Sequence, residues 1–259
     1  MARIFVTGST QGIGRNAIQT LIGNGHDVIL HARSKERINA FGALADVNTV
    51  LTGDLASLEE VRALARALNE TGPVDAIIHN AGVIDTAREV TREGLLRVLM
   101  VNAIAPYMLS LLAERPARLI FTGSSMHYGH EEALDDMDWR ERRWSGASAY
   151  GESKMLLTAM ANGLARHLPD TPCHTVDPGW VPTRMGGESA SDPLDEAHLT
   201  QCWLATCLDG EAGTSGGYWH HMERREPDPK TRDTKVQDAV LTRFAALSGV
   251  AMPAAASRP

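Results

Sequence analysis

The chain has 259 residues, with 25 Lys plus Arg against 32 Asp plus Glu and a formal charge of −7, a balance that argues against a nucleic-acid polymer as partner. At 43% hydrophobic and 22% charged it is too apolar for disorder, and chain enough for a sizeable core. No apolar run reaches the roughly 18 to 20 residues of a membrane span, and Gly8 interrupts any signal-peptide core, so a cytoplasmic protein with no membrane span is expected.

Ile4-Phe5-Val6 reads as a buried strand, after which Ile13, Ala17, Ile18, Leu21 and Ile22 share one face of a helix that stops near Gly23 and Gly25. Val28-Ile29-Leu30 is a second strand. After an irregular stretch Thr49-Val50-Leu51 makes a third, and Ser57-Leu58-Glu59-Glu60 opens a helix with capping-box spacing. Val74 to His79 predicts the fourth strand, Glu93 to Glu114 a long helix and Arg118 to Thr122 the fifth strand. A second long helix, Ala149 to His167, precedes a sixth strand at Cys173 to Val176, and Gly217-Tyr218-Trp219-His220 is a candidate seventh. This alternation predicts an α/β protein: a Rossmann-type, doubly wound parallel sheet of about seven strands with helices on both faces.

There is no internal repeat. Two segments interrupt the alternation, 126–148 with Trp139 and Trp144, and 180–200 with Pro182 and Gly186-Gly187, and long loops of this kind are usually functional. With no linker between independent cores, one domain is expected over residues 1–250, with a lid around 180–200 and a flexible tail over 251–259. Cys173, Cys202 and Cys207 contain no CxxC pair, so reduced thiols are the simplest reading. Histidine pairs such as His127/His130 and His220/His221 lack a third ligand, so no metal site is expected.

Thr7-Gly8-Ser9-Thr10-Gln11-Gly12-Ile13-Gly14 lies between the first strand and the first helix. There, close backbone approach and unpaired N–H groups suit a dinucleotide pyrophosphate, and Gly12-x-Gly14-x-x-Ala17 fits the GxGxxA pattern. The second strand ends His31-Ala32-Arg33-Ser34 with no carboxylate for a ribose 2′-hydroxyl. Arg33, with Arg15 on the same side, offers a cationic fork for a 2′-phosphate, so NADP(H) is expected over NAD(H). Tyr150 and Lys154, four apart at a helix start, share one face. A cation beside a phenol favours its ionised form and brings its pKa, near 10 when unperturbed, toward working range.

Taken together these motifs resemble the short-chain dehydrogenase/reductase family over roughly residues 3–183. The likeness rests on the TGxxxGIG string at Thr7 to Gly14, Asp54-Leu55, Asn80-Ala81-Gly82, Asn102, Ser124-Ser125, Tyr150 with Lys154, and Pro178-Gly179 with Thr183. It implies that Tyr150 is the acid/base and that Lys154 holds the nicotinamide ribose and lowers the tyrosine's pKa. Ser125, favoured over Ser124, would orient the substrate oxygen, and Asn102 would support a proton relay. Asp54, Leu55, Asn80, Ala81 and Gly82 would line the adenine side, and Pro178, Gly179, Val181 and Thr183 the nicotinamide carboxamide. Departures are His79 where the family usually has asparagine and a spacing of 25 residues from Ser125 to Tyr150, longer than is common. That insertion and the Gly216-Gly217-Tyr218-Trp219 ending resemble the branch of retinol-dehydrogenase-like and polyketide carbonyl reductases, and leave monomer or homodimer open.

The expected function is an NADP(H)-dependent carbonyl reductase or alcohol dehydrogenase acting on a small-molecule substrate. A non-catalytic NADP-binding sensor that kept the fold is the alternative, against which the complete Ser125, Tyr150, Lys154 and Asn102 set argues. Trp180, Met185, Leu194, Met126 and Trp144 are candidates for an apolar pocket wall, although each also suits a core position. If they line the cleft, a lipophilic or aromatic ketone or aldehyde is favoured over a sugar.

Overall fold

In β1 (Arg3–Val6), Ile4 and Val6 enter one apolar cluster and Phe5 the other, the two-residue alternation of a strand covered on both faces. The computed structural model describes residues 1–41, 47, 49–114, 116–130, 133–207 and 209–253. Around β1 it arranges β2 (Asp27–Ala32), β3 (Thr49–Thr52), β4 (Ala76–His79), β5 (Arg118–Thr122), β6 (Cys173–Asp177), β7 (Gly217–His220) and β8 (Glu223–Arg225). They form one eight-stranded sheet in the order β3-β2-β1-β4-β5-β6-β7-β8. Neighbours from β3 to β7 are parallel, and only β8 runs antiparallel to β7.

One face is covered by α3 (Leu58–Glu70), α5 (Ala105–Leu112), α6 (Gly146–His167) and α8 (Thr234–Ser248), the other by α1 (Gly12–Gly23) and α7 (Leu199–Thr206). In α3 the buried residues are Val61, Leu64, Ala65 and Leu68, a one-sided stripe at helical spacing. The chain grows outward from β1 to β3 and then returns to β4 beside β1. That reversal opens a crevice at the carboxyl ends of the strands, where ligands of open α/β sheets bind.

Four local features differ from the sequence expectation. The eighth strand is Glu223-Arg224-Arg225, fully exposed and without an apolar signal; its charges block further pairing at that edge. A short helix, α2 (Lys35–Phe41), fills part of the stretch expected to be irregular. The long helix begins at α4 (Arg97–Leu99) and passes through a π-helical turn, Met100–Ile104, before α5. Ser57 accepts from the Glu60 N–H as a cap should, but the Glu60 carboxylate turns to the N–H of Asp54 rather than back to Ser57, leaving half a capping box. Residues 254–259 of the expected tail lie outside the described residues. Among the described residues no helix is long and apolar enough to cross a membrane.

Candidate active site

The glycine-rich turn is built by exchange of hydrogen bonds between strand ends. Gly8 adopts φ +63°, and a Cβ there would lie 2.8 Å from the Ala81 Cα, so only glycine lets the β1 and β4 loops touch. Asn80 donates its amide to the carbonyls of Thr7 and Gly8, and the Ala81 N–H donates to Thr7 Oγ1. Behind the turn, buried His31 accepts the Gly8 N–H at Nδ1 (3.1 Å) and reaches the Gly53 carbonyl through Nε2 (2.9 Å). Burial pulls its pKa down to about 4, so the ring is neutral and keeps that lone pair.

Helix α1 starts at Gly12 behind Gln11, which makes no side-chain cap, and no acidic residue stands in its first turn. The helix start thus carries neither a Gln11 side-chain cap nor a first-turn acid, which fits the anionic pyrophosphate of a dinucleotide. Across the crevice, a Cβ on Gly12 would reach within 3.3 Å of Thr183 Cγ2, so the turn and the loop after β6 face each other. Arg15 and Arg33 are both exposed, Arg33 directly after β2.

The reacting end gathers at the ends of β4 and β5 and on α6. Tyr150 is buried in the first turns of α6, and its hydroxyl interacts with the Ser124 side chain. The Lys154 ammonium lies 5.6 Å from the Tyr150 ring centroid and donates to the Thr122 carbonyl at 2.6 Å. Asn102, in the π-helical turn, accepts the Val83 N–H and donates to the Val83 carbonyl and to Ser153. A Cβ on Gly82 would stand 3.5 Å from Asn102 Oδ1, 3.6 Å from Lys154 Nζ and 3.8 Å from Met185 Cε, which marks where these groups converge.

Electrostatics here run against the simplest expectation. Burial pushes the Tyr150 phenol up to about 12, with the Ser124 bond acting the other way and Asp177 adding to the rise. Burial also pulls Lys154 down to about 8, and nearby Asp177 partly restores it. Burial is the largest cause of both shifts.

Ser125, the serine favoured from sequence, is exposed. The serine side chain that meets Tyr150 belongs to Ser124, which lies immediately after Gly123 beyond β5. Ser9 spends its hydroxyl on both backbone groups of His31. Thr10, Gln11 and Ile13 stay at least partly accessible in the turn. Asp54 caps the Ala56 N–H, while Leu55 packs into the core among the residues of α3. Thr183 accepts the Gly186 N–H, Val181 is buried, and the Gly179 N–H after Pro178 donates to Asp177.

Of the pocket-wall candidates, Trp180, Met185 and Met126 are exposed apolar side chains, Leu194 is half-buried, and Trp144 packs on the core against Trp139. The 126–148 insertion is held to α6 by Arg142, which bridges Asp136 and the buried Glu152 while lying 4.1 Å from the Trp139 ring centroid. It can lie so close because Gly151 follows Tyr150: a Cβ there would come within 2.6 Å of the Met126 carbonyl oxygen and strike the His130 ring. The segment after β6 is fastened to α1 by Asn16 donating to the Leu194 carbonyl and by Thr20 with His198. The sequence names His31 only as a strand end and His127 only as half of a histidine pair; the bonds they make come from distant backbone groups that no local pattern signals.

A family model described as enoyl-(acyl carrier protein) reductase matches residues 8–212. The short-chain dehydrogenase chyC of Penicillium rubens is 36% identical over 98% of this chain and 100% of its own length. Retinol dehydrogenase 13 of Homo sapiens is 26% identical over 99% of this chain and 87% of its own. Among solved structures, the Pseudomonas aeruginosa RhlG/NADP active-site complex has a TM-score of 0.65 at 24% identity, covering 85% of this chain and 94% of that one, a likeness of fold.

Proposed function

This chain belongs to the short-chain dehydrogenase/reductase family of oxidoreductases, in its retinol-dehydrogenase-like and polyketide-reductase branch, and from that premise we propose that it is an NADP(H)-dependent carbonyl reductase or alcohol dehydrogenase. The observation that carries the reading is the Tyr150 hydroxyl interacting with the Ser124 side chain, with the Lys154 ammonium buried beside it. Bound nicotinamide supplies or accepts the hydride. Tyr150 protonates the carbonyl oxygen during reduction and takes the proton back during oxidation. Ser124, in place of Ser125, donates to the same oxygen and orients it, and Lys154 holds the nicotinamide ribose and lends positive charge. Asn102 supports the proton path behind Lys154. A tyrosine pushed up to about 12 is protonated at neutral pH, which suits the reductive direction.

The glycine turn, Asp54 and Asn80 to Gly82 hold the adenine half of the cofactor, and Pro178, Gly179, Val181 and Thr183 its carboxamide. Arg33 and Arg15 favour the 2′-phosphate, and a fold neighbour was solved with NADP. Residues 1–250 act as one domain, with 180–200 as a lid that brings exposed Trp180 and Met185 over the pocket. Those side chains and Met126 support a lipophilic or aromatic ketone or aldehyde as substrate, in a cytoplasmic setting. NADPH consumption over a panel of lipophilic ketones, small polar carbonyls and sugars tests the reading together with Tyr150→Phe. Turnover is expected with the lipophilic members and is lost in Tyr150→Phe while NADPH fluorescence still reports binding. Turnover that persists in Tyr150→Phe overturns it.

A further inference from the structure

Three residues beyond Ser124, His127 is wholly buried, with both ring nitrogens and its backbone N–H hydrogen-bonded. Its own N–H donates to the Ser124 carbonyl at 3.0 Å, and its ring Nδ1 lies 2.7 Å from that same oxygen. On the other side Nε2 lies 2.9 Å from the backbone nitrogen of Asp228, which is 101 residues away in the chain. A backbone N–H can only donate, so Nε2 carries the lone pair, and the ring proton must sit on Nδ1 and point at Ser124. Tyr128 and Tyr218 flank the ring at 4.0 and 4.9 Å between centroids, fixing its plane. The Tyr218 hydroxyl lies 3.4 Å from Nδ1 and interacts with Asp177, so the tyrosine extends the contact to the end of β6.

We propose that His127 is a positioning residue for the reaction: it locks the peptide plane of Ser124 and ties the serine to the C-terminal segment at Asp228. The proposal rests on the assignment of Ser124 and Tyr150 above. Ser124 stands just past the end of β5 with extended backbone, and its side chain already accepts the Met126 N–H while reaching Tyr150. Two donors on its carbonyl leave the peptide no freedom to rotate, so the hydroxyl keeps its aim when substrate enters. Desolvation lowers the imidazole pKa and keeps it neutral, the state this clamp needs. A displacement of about 1 Å in such a group costs on the order of 100-fold in rate.

Three variants separate positioning from mere filling of space. His127→Asn keeps a donor where Nδ1 stands, His127→Gln reaches the Asp228 N–H but not the Ser124 carbonyl, and His127→Phe keeps the ring stack and neither bond. Expected are losses in kcat of about 30- to 100-fold for Phe and Gln and about fivefold or less for Asn, with KM for the carbonyl and the NADPH dissociation constant within about twofold. The proposal is overturned if Asn and Gln lose equally, if Phe keeps kcat within about threefold, or if NADPH binding weakens in step with kcat. Should Phe fail to fold, the Asn and Gln pair decides alone. Tyr150→Phe runs in parallel: turnover surviving there would overturn the reaction assignment itself. Wild-type kcat in His127→Phe beside an inactive Tyr150→Phe would overturn the role of His127 alone.

Discussion

Replacing Ser124 and Ser125 separately with alanine asks which hydroxyl serves the chemistry. Ser124 is half-buried, accepts the Met126 N–H at 3.2 Å and interacts with the Tyr150 hydroxyl, whereas Ser125 is exposed and only its carbonyl is engaged, by the Tyr128 N–H. Losing a preorganised donor aimed at a reacting oxygen costs about 10² to 10³ in kcat, roughly 2.7 to 4 kcal/mol. The lost turn cap adds about 1 kcal/mol or less in stability, since the Met126 N–H is exposed to water. Ser125→Ala removes nothing comparable, and surface changes of that kind stay within about 0.5 kcal/mol. Initial rates of NADPH loss with a lipophilic ketone, read beside thermal melting, give the comparison. Equal losses in the two variants, or a Ser124→Ala enzyme within about threefold of wild type, would refute the placement of the serine.

The buried ammonium sets a pH dependence. Lys154, pulled down to about 8 by burial, is charged below that pH and neutral above it, while Tyr150 holds its proton to about 12. Reductive kcat/KM is therefore expected to stay level near neutrality and to fall by up to about tenfold per pH unit above 8, as Lys154 loses its charge. A reductive profile flat through pH 10 contradicts this. Gly151→Ala should force the 126–130 segment off α6, because backbone at the Met126 carbonyl blocks the new methyl group. A loss of about 1 to 3 kcal/mol in urea unfolding is expected, with turnover falling as Tyr150 shifts, and an unchanged unfolding midpoint would remove the close approach from the explanation. Arg33→Ala should raise KM for NADPH by about tenfold and leave that for NADH within about twofold; equal effects on both cofactors would mean that Arg33 does not read the 2′-phosphate.

Much of the site is legible because its motifs are local. A strand, a glycine turn and a helix N-terminus are neighbours in sequence, and Tyr150 and Lys154 share a helix face at a spacing that any helix enforces. Ser124 and Ser125 are different: adjacent in sequence and chemically identical, they are separated only by which way the chain leaves β5, and that depends on Gly123 passing Thr175 of the next strand. Edge strand β8 escaped notice because pairing with β7, rather than apolar content, makes it a strand.

By itself the sequence determined the order of strands and helices, the parallel sheet and the cofactor turn, since periodicity and turn chemistry act between residues a few positions apart. Tertiary structure alone decided the serine's aim and the titration of the pair on α6. Desolvation is a property of everything packed around a group, and burial outweighs the Tyr150 and Lys154 partnership that their spacing suggests. The same holds for His127, whose tautomer follows from an N–H 101 residues further along the chain.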